Sequence, residues 1–482
     1  MKLVPLVLVC LCAGAQAQLG IAPSGGVQPV VPPPPIQQPV GVSQENPFQG
    51  SVLSNESFPA TFSLSLQDAI QRGLKQNLGL IIGDLNTRLA QAEQRRANSA
   101  LLPDISGRVS DTVEQINLKA LGFSFSFPGF NIPSIIGPFN VFDARANLTQ
   151  SVWNLQRKYS ARAAKENLTS AQLSYRDNRD LVTLLVASGY LQVIADGARV
   201  DEVRSEVETA QALYNRAADL LRNGLMPAID ALRAQVELQS EQTLLRAHEN
   251  DLAKDKLALA RLIGLPLGQQ FILSDQIPYK ALEPLDQQEA IEQALRSRYD
   301  YQSLQSQIRA AELNKRAAQA ERYPSLDANG DFGDIGNYPN NLHPTFSAGG
   351  AVTFSIFNGG RIRSDIEQAD TELQQRRAQL ADLRAQIEYQ VRSSFLDLQT
   401  AADQIEVARS SLELARQTLT QAQDRFSAGV ADNIEVVQAQ NSVALASETY
   451  IDSVYAHNLA KVSLARSLGM ADQHVQEFLG GR

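Results

Sequence analysis

The stretch RFSAGVADNIEVVQAQ, residues 425–440, decides how the rest of the chain is interpreted. Apolar residues precede it in alternating steps of three and four, at Ile405, Ala408, Leu412, Ala415, Leu419, Ala422 and Phe426. This heptad spacing predicts a long helix with one apolar stripe, which ends at Gly429 because glycine readily adopts the left-handed conformation. The pattern resumes after Asp432 and Asn433, and either residue can cap a second helix. The stretch therefore predicts the tip of a helical hairpin, although any antiparallel coiled coil would show the same pattern.

The first 17 residues have the composition of a secretory signal peptide. Lys2 supplies a positive charge, an apolar core follows, and residues 15–17, AQA, form a small-residue cleavage site. Both cysteines, Cys10 and Cys12, lie in this segment, so the exported chain would need no disulfide. No later apolar run reaches the roughly 18 residues of a membrane-spanning helix. The net charge of −9 argues against nucleic acid as the main partner.

Residues 18–60 form a proline- and glycine-rich segment that includes consecutive prolines at residues 32–35. Such a composition cannot bury a core and favours extended, solvated chain. We therefore expect a disordered tether between the signal peptide and the folded part of the protein.

Two copies of one structural plan follow the tether. At an offset of 221 residues, Pro103 corresponds to Pro324, and at an offset of 205 residues, Gly224 corresponds to Gly429. The heptad stripe also recurs 205 residues earlier, over residues 200–221. This duplication predicts a first repeat over residues 61–275, a second repeat over residues 276–470 and a C-terminal tail over residues 471–482. Each repeat is predicted to contain a helix, two strands, a long helix, a turn and another helix.

Both repeats contain segments in which apolar and polar residues alternate, as in half-buried strands. In the second repeat the apolar positions are Leu326, Ala328, Gly330 and Phe332, followed by Phe346, Ala348, Gly350, Val352, Phe354 and Ile356 in the segment from Thr345 to Phe357. In the first repeat they are Ile105, Val109 and Val113, followed by Phe142, Ala144, Ala146, Leu148 and Val152. This pattern is typical of transmembrane β-strands, but a small soluble sandwich or hairpin would share it. The insertion over residues 117–138 is either a longer loop or an extension of the strands, and we assign it no function.

Four strands cannot close a barrel, and an open sheet edge in lipid would leave backbone groups without partners. Several chains must therefore share one barrel if these strands cross a membrane. The predicted fold class is mainly α with a small β part. Duplicated coiled-coil hairpins of long helices form an α-barrel, and the chain contributes four strands to a shared transmembrane β-barrel.

The chain resembles the TolC-type outer-membrane efflux proteins, the exit ducts of tripartite efflux pumps and type I secretion systems. The similarity extends over residues 66–470 and depends on the duplication, on the segment SIFNGGR at residues 355–361 and on the hairpin turn. The matching helix–strand junctions are Pro103, Pro324, Gly359 and Gly360. The first repeat departs there, because it has Asn154-Leu155-Gln156 in place of Asn358-Gly359-Gly360. The resemblance implies a homotrimer in outer-membrane lipid that extends into the periplasm. Its closed end would be opened by a periplasmic adaptor and an inner-membrane pump.

The resemblance also implies two sites at the hairpin tips. Acidic residues after the turn would constrict the tunnel mouth, and a ring of carboxylates favours cations. The corresponding positions are Asp230, Glu435 and Gln438, with Arg233 expected to neutralise part of the ring. An acid at a helix start is, however, also favoured by the helix dipole alone. The turn residues Gly224, Leu225, Gly429 and Val430 resemble adaptor-docking tips, but an ordinary helix C-cap would have the same residues.

No catalytic or metal site is predicted. The four histidines, at residues 248, 343, 457 and 474, are scattered, and the sequence has no phosphate-binding loop or nucleophile elbow. We therefore predict neither an enzyme nor a cofactor, so energy for transport must come from partners. The predicted function is a passive export duct that is gated at its periplasmic tips. The alternative is a soluble periplasmic coiled-coil scaffold whose hairpins bind other proteins.

Overall fold

The computed structural model describes residues 46–53, 61–122, 133–275, 279–282, 285–430 and 433–479. The predicted signal peptide, most of the predicted tether and Asp432 lie outside these residues. A short 3-10 helix, Pro47–Gln49, comes first. The elements that follow are β1 (Thr61–Leu64), α1 (Leu66–Gln76), α2 (Leu78–Ser99), β2 (Asp104–Asn117), β3 (Ile135–Trp153), α3 (Leu155–Arg222), α4 (Ala228–Leu262), β4 (Gln270–Leu273), α5 (Gln287–Ser297), α6 (Tyr299–Ala320), β5 (Ser325–Gly336), β6 (Leu342–Thr353), α7 (Arg361–Ser427), α8 (Asn433–Ser467) and α9 (Ala471–Leu479).

Two long helices, α3 with 68 residues and α7 with 67 residues, run the length of the helical part. At 1.5 Å per residue, each is about 100 Å long. The predicted heptad stripes are buried along much of both helices, including Val200, Val203 and Ala217 on α3 and Ile405 and Ala408 on α7. The stripes therefore mediate helix packing, as their period indicates.

The helices form two neighbouring hairpins. Helix α3 packs against α4 and α7 packs against α8, while contacts between α3 and α8 join the two pairs. At the other end, α2 and α6 take the places of α4 and α8 beside the long helices. Apolar clusters lie at the hairpin tips and around Tyr190 and Ile387. The duplicated plan is thus visible in the packing.

One apolar stretch of α3 could span a membrane, judged by its length and composition alone. Half of this stretch is buried inside the protein. It contains Val182, Val186 and Tyr190, which are fully buried against α1 and the short strands. We therefore interpret it as the core segment of a packed helix.

Four strands form one antiparallel sheet in the order β2-β3-β5-β6. The apolar residues predicted to share a face are adjacent in the register, with Ile105 opposite Leu148 and Phe332 opposite Phe346. Among the described residues, β2 and β6 each pair with a strand on one side only. At about 3.3 Å per residue, strands of 12 residues span about 40 Å, which exceeds the thickness of the hydrocarbon core.

Two predicted boundaries of the sheet differ from the structure. The strand predicted from Thr345 to Phe357 is β6, which ends at Thr353, because the chain then turns towards two glycines with positive φ. Strand β3 begins at Ile135, inside the 117–138 insertion, so part of the insertion lengthens the strands. Residues 123–132 of the insertion lie outside the described residues.

The tether was predicted to extend to residue 60, but the chain is already ordered at residues 46–53. The Asn77 side chain donates a hydrogen bond to the Phe48 carbonyl at 2.7 Å, and the Leu78 amide donates one to the Gly50 carbonyl at 2.9 Å. The ring of Phe48 lies so close to Gly79 that a Cβ there would approach it to 2.3 Å. Composition could not reveal this, because so short a segment is ordered by the surface on which it lies.

The predicted C-terminal tail and the predicted single first helix of each repeat also differ in detail from the structure. Residues 471–479 form α9, which buries Val475 and Leu479 in the cluster around Tyr190. The first helix of each repeat is broken, at Asn77 and at the equivalent Arg298, where ψ is 128° and 124°. Strands β1 and β4, which were not predicted, pair in parallel across more than 200 residues of chain.

Candidate functional site: the hairpin tips

The two hairpin turns have the same backbone geometry. Gly224 and Gly429 have φ values of +72° and +70°, which a side chain would make unfavourable. The amide of Leu225 donates to the Leu220 carbonyl at 2.9 Å, and the amide of Val430 donates to the Arg425 carbonyl at 3.0 Å. These are the hydrogen bonds of a glycine-terminated C-cap. Both turns therefore end their helices in the way that the sequence predicts.

The residues after these glycines point into solvent. Leu225 is 73% exposed and Val430 is 68% exposed, so neither side chain is consumed by packing within the chain. An apolar side chain beside a glycine leaves room for another protein to approach closely. The arrangement can therefore support a contact between the tips and a partner.

Behind the turns, the two hairpins are held together by one apolar cluster. Its buried residues are Leu213 and Ala217 on α3, Ala231 and Ala234 on α4, Ala422 on α7, and Val436 and Ala439 on α8. Most of these residues are alanine, so the helices approach closely. The first turns of α4 and α8, which carry the predicted gate residues, are consequently packed into the same unit.

Each predicted gate acid has an arginine partner. Asp230 lies 3.2 Å from Arg233 in the same helix, and its side chain is 16% exposed. Glu435 lies 3.1 Å from Arg425, across the turn at the end of α7, and its side chain is 43% exposed. The tip therefore carries paired charges of both signs. Gln438 follows on the same helix and is exposed.

Sequence reasoning included Arg233 but missed the role of Arg425. Arg425 lies in the last turn of α7, where a cation is favoured by the helix dipole. The sequence did contain a signal for this pair. Arg425 lies two residues before the turn Ser-Ala-Gly-Val, and an acid follows shortly after the turn. The two side chains face each other once the chain reverses. A second arginine, Arg216, lies over the ring of Phe426 at 5.9 Å and covers the tip from α3.

The predicted junction residues lie where helices and strands meet. Pro103 lies between α2 and β2, and Pro324 lies between α6 and β5. Gly359 and Gly360 have φ values of +61° and +91° and lead into α7. In the first repeat, the Asn154 side chain instead accepts a hydrogen bond from the Arg157 amide at 2.9 Å and caps α3 directly. In the first repeat, the Asn154 cap therefore takes the place of the glycine pair at the start of the long helix.

The sheet has one polar face and one apolar face. On the polar face, Arg145 contacts Asp143 at 2.7 Å and Asp331 at 2.8 Å, and Ser347 donates to Asp331. The apolar side chains of the opposite face, such as Val109 and Phe346, are exposed. This division suits a strand layer between lipid and a polar lumen. No group of His, Cys, Asp and Glu among the described residues could hold a metal ion.

Duplicated hairpins of helices about 100 Å long, joined to a sheet of four strands with one apolar face, define the class of elongated membrane-associated ducts. Residues 290–470 match the family model described as outer membrane efflux protein. Over these residues the chain is similar to the TolC-type outer-membrane efflux proteins, and it is an outer-membrane export duct of efflux systems.

Known efflux proteins are similar in sequence to this chain over most of its length. The probable efflux pump outer membrane protein TtgC of Pseudomonas putida is 21% identical over 420 residues, covering 84% of this chain and 83% of TtgC. The cation efflux system protein CusC of Escherichia coli is 22% identical over 452 residues, covering 91% and 94%. These relatives are outer-membrane channel proteins, which confirms the predicted location and the prediction that the chain is not an enzyme.

Solved structures share the fold. The outer membrane protein VceC of Vibrio cholerae has a TM-score of 0.72 at 19% identity, covering 84% of this chain and 96% of VceC. The outer membrane channel CmeC of Campylobacter jejuni has a TM-score of 0.75 at 17% identity, covering 86% and 89%. The predicted fold class is therefore confirmed. The alternative of a soluble periplasmic scaffold has no support among these proteins.

Proposed function

We propose that three copies of the chain form one passive duct, closed at the hairpin tips at rest and opened by a periplasmic adaptor and an inner-membrane pump. The duct spans the outer membrane with its strands and the periplasm with its helices. The relatives support this proposal, since their names place them in efflux pumps and cation efflux systems. The predicted repeats, at residues 61–275 and 276–470, would each supply one hairpin and two strands per copy.

The observation that carries the proposal is the open sheet with an exposed apolar face. Strands β2 and β6 need partners at their outer edges before the sheet can enter lipid, because unpaired backbone groups there cost several kcal/mol each. Other copies of the chain supply such partners without any new element. Two copies would give eight strands and three would give twelve, and the resemblance to the TolC-type family favours three.

Exposed apolar residues on the outer helices support side-by-side copies. On α4, Ile229, Leu232 and Val236 are exposed at helical spacing, and on α7, Val407 and Leu414 are exposed one heptad apart. Helices α4 and α7 lie at opposite sides of the chain, because α3 and α8 lie between them. Contact between α4 of one copy and α7 of the next would bury both stripes and close a ring of helices.

The tips are proposed as the gate and the docking surface. In a trimer, Asp230 and Glu435 would bring six carboxylates to the tunnel mouth, and Arg233 and Arg425 would partly neutralise them. Such a mixed ring is weaker than a purely acidic ring, and it depends on ionic strength. The exposed turn residues Leu225 and Val430, each beside its glycine, would contact the adaptor.

The test is the mass and location of the assembled protein. We expect the full chain to fractionate with the outer membrane and, in mild detergent, to give a protein mass of three copies by light scattering. A polar substitution of the outer stripe, Leu232→Glu, should reduce the fraction of trimer, whereas a matched change at exposed Glu249→Gln should not. A monomer or dimer in detergent that conducts ions like the native membrane preparation would contradict the proposal.

A further inference from the structure

The first hairpin contains two carboxyl pairs that cross from α3 to α4. Asp196 on α3 faces Asp255 on α4, and Glu206 on α3 faces Glu241 on α4. Ten residues separate Asp196 from Glu206, so the two pairs lie about 15 Å apart along the hairpin. They lie between the tip and the cluster around Tyr190, where α8 covers the groove between the two helices.

Asp196 is 6% exposed, yet one of its oxygens has no hydrogen-bond donor. Its Oδ1 accepts from Gln192 at 3.0 Å and from Arg199 at 2.5 Å, whereas its Oδ2 is buried without a partner. Two ionised carboxylates cannot hydrogen-bond to each other, since neither carries a proton. A single proton on the Asp196–Asp255 pair would satisfy this oxygen.

The second pair repeats this arrangement. Three oxygen atoms are buried without a hydrogen-bond donor: Oε2 of Glu206, Oε2 of Glu241, and Oε1 of Gln440 on α8. The three residues line one cavity of about 100 Å³ between α3, α4 and α8. Several acceptors without a donor cost free energy in a desolvated place, and a shared proton relieves part of this cost.

The charged and titratable groups around the two pairs come from four helices. They are Arg199 and Glu202 on α3, Glu237, His248 and Lys256 on α4, Arg416 on α7, and Glu448, Asp452 and Tyr455 on α8. Arg199 contacts both Asp196 and Asp452, and Arg416 lies 3.7 Å from Glu202. Acids outnumber bases around Glu206, so its surroundings favour the protonated form.

The second hairpin has no acids at the positions equivalent to these two pairs. At the repeat offset of 205 residues, Asp196 and Asp255 correspond to Ala401 and Ala460, while Glu206 and Glu241 correspond to Ser411 and Ala446. The two hairpins share their length, turn and heptad stripe, so this difference in titratable groups is specific to the contact between α3 and α4. The second hairpin is therefore an internal control.

We propose that the two carboxyl pairs form a proton-dependent latch that holds α4 against α3, so that the first hairpin loosens as the pH rises while the second does not. Burial, followed by the contact with Asp255, raises the pKa of Asp196 from 3.8 to about 6. Burial, followed by the charges of Glu241 and Glu202, raises the pKa of Glu206 from 4.5 to about 7. Burial also raises the pKa of Glu241.

The sign of the pH effect follows from these directions. Well below pH 3.8, Asp196 and Glu206 are protonated in the folded and the unfolded chain alike, and these carboxyls impose no cost. Between about pH 4 and pH 7, the folded chain holds more protons than the unfolded chain, so stability falls as the pH rises. Well above pH 7, Asp196 and Glu206 are both ionised, and repulsion between carboxylates acts across the contact between α3 and α4.

Hydrogen exchange of the full-length protein in detergent between pH 5 and pH 8 tests the latch, after correction for the intrinsic pH dependence of exchange. Since one pKa unit corresponds to a tenfold change in an equilibrium, we expect the protection of α4 to fall at least about tenfold relative to α8. The double variant Asp255→Asn, Glu241→Gln should reduce this fall to less than about twofold. The matched variant Glu249→Gln, Asp251→Asn, which changes two exposed acids of α4, should retain it.

Three results would overturn the latch: equal pH responses of α4 and α8, no pH response in the wild type, or an undiminished response in the double variant. If the double variant does not fold, each single variant should remove roughly half of the fall. The comparison of the wild type with its variants requires neither a particular number of copies nor transport. Its failure would therefore be distinguishable from a failure of the proposed function.

Discussion

Replacing Arg425 by alanine should shift the duct towards its open state. Arg425 and Glu435 lie on opposite sides of the hairpin turn, with 3.1 Å between Nε and Oε1. In the proposed trimer, the guanidinium offsets the charge of a carboxylate that faces two identical carboxylates at the tunnel mouth. Without Arg425, repulsion among the three copies of Glu435 increases, and separation of the tips relieves it.

The size of the expected shift in the closed-to-open ratio follows from the solvent exposure of the Arg425–Glu435 ion pair. The side chains of Arg425 and Glu435 are 58% and 43% exposed, so water and salt screen them strongly. An exposed ion pair typically contributes about 0.2–1 kcal/mol, so three pairs that act together contribute about 0.6–3 kcal/mol. At about 1.4 kcal/mol per factor of ten, the ratio of closed to open channels should fall by between about threefold and about a hundredfold.

Single-channel recording in planar bilayers measures this ratio directly. The control is Arg409→Ala, because Arg409 contacts Glu406 at 2.9 Å within α7 and both side chains are well exposed away from the turn. The charge-exchanged variant Arg425→Glu, Glu435→Arg restores the pair and should restore the closed state. The effect of Arg425→Ala should also diminish at high salt. Equal open probabilities for Arg425→Ala and Arg409→Ala would refute the reasoning.

Three further predictions concern charge, turn and core. The double variant Asp230→Ala, Glu435→Ala should weaken block of the channel by divalent cations at least about tenfold, which is equivalent to about 1.4 kcal/mol. An unchanged block would show that neither residue belongs to the gate. Gly429→Val should destabilise the last turn of α7 by about 1–2 kcal/mol, measured by hydrogen exchange, because φ is +70° at Gly429. The control Gly197→Ala, in the interior of α3, should instead stabilise its helix. Ile387→Ala, at a fully buried position, should lower the free energy of unfolding by about 2–5 kcal/mol in denaturant titration, and a loss below about 1 kcal/mol would contradict the assigned core.

Local patterns predicted the elements that depend on few neighbours. A heptad stripe specifies one face of a helix wherever the partner helix lies, and Gly224 and Gly429 end their helices through their own backbone freedom. Alternation likewise separated the two faces of β2, β3, β5 and β6, because successive residues of a strand point in opposite directions. Strand ends were less accurate, since β6 ends where the path to α7 begins.

The sequence patterns did not predict contacts between segments that are distant in the chain. Strands β1 and β4 are four residues each, too short for a reliable pattern, and they become strands only by pairing with each other. Residues 46–53 are ordered by the break at Asn77 and by Gly79, which belong to another element. The same limit applies to Arg425, whose partner Glu435 is fixed by the reversal of the chain.

The sequence by itself determined the duplication, the long hairpins with their glycine turns, and the division of each strand into an apolar and a polar face, because these follow from the period of the chain. Tertiary structure alone decided which charges are buried and what they face. Asp196 and Glu206 look like ordinary helix acids in the sequence, but packing of α4 and α8 against α3 buries Asp196 and one carboxylate oxygen of Glu206 and places other carboxyls beside them. Desolvation and partner identity depend on the register of helices that are distant in the chain, and this is the physical reason that the pattern of one helix could not disclose them.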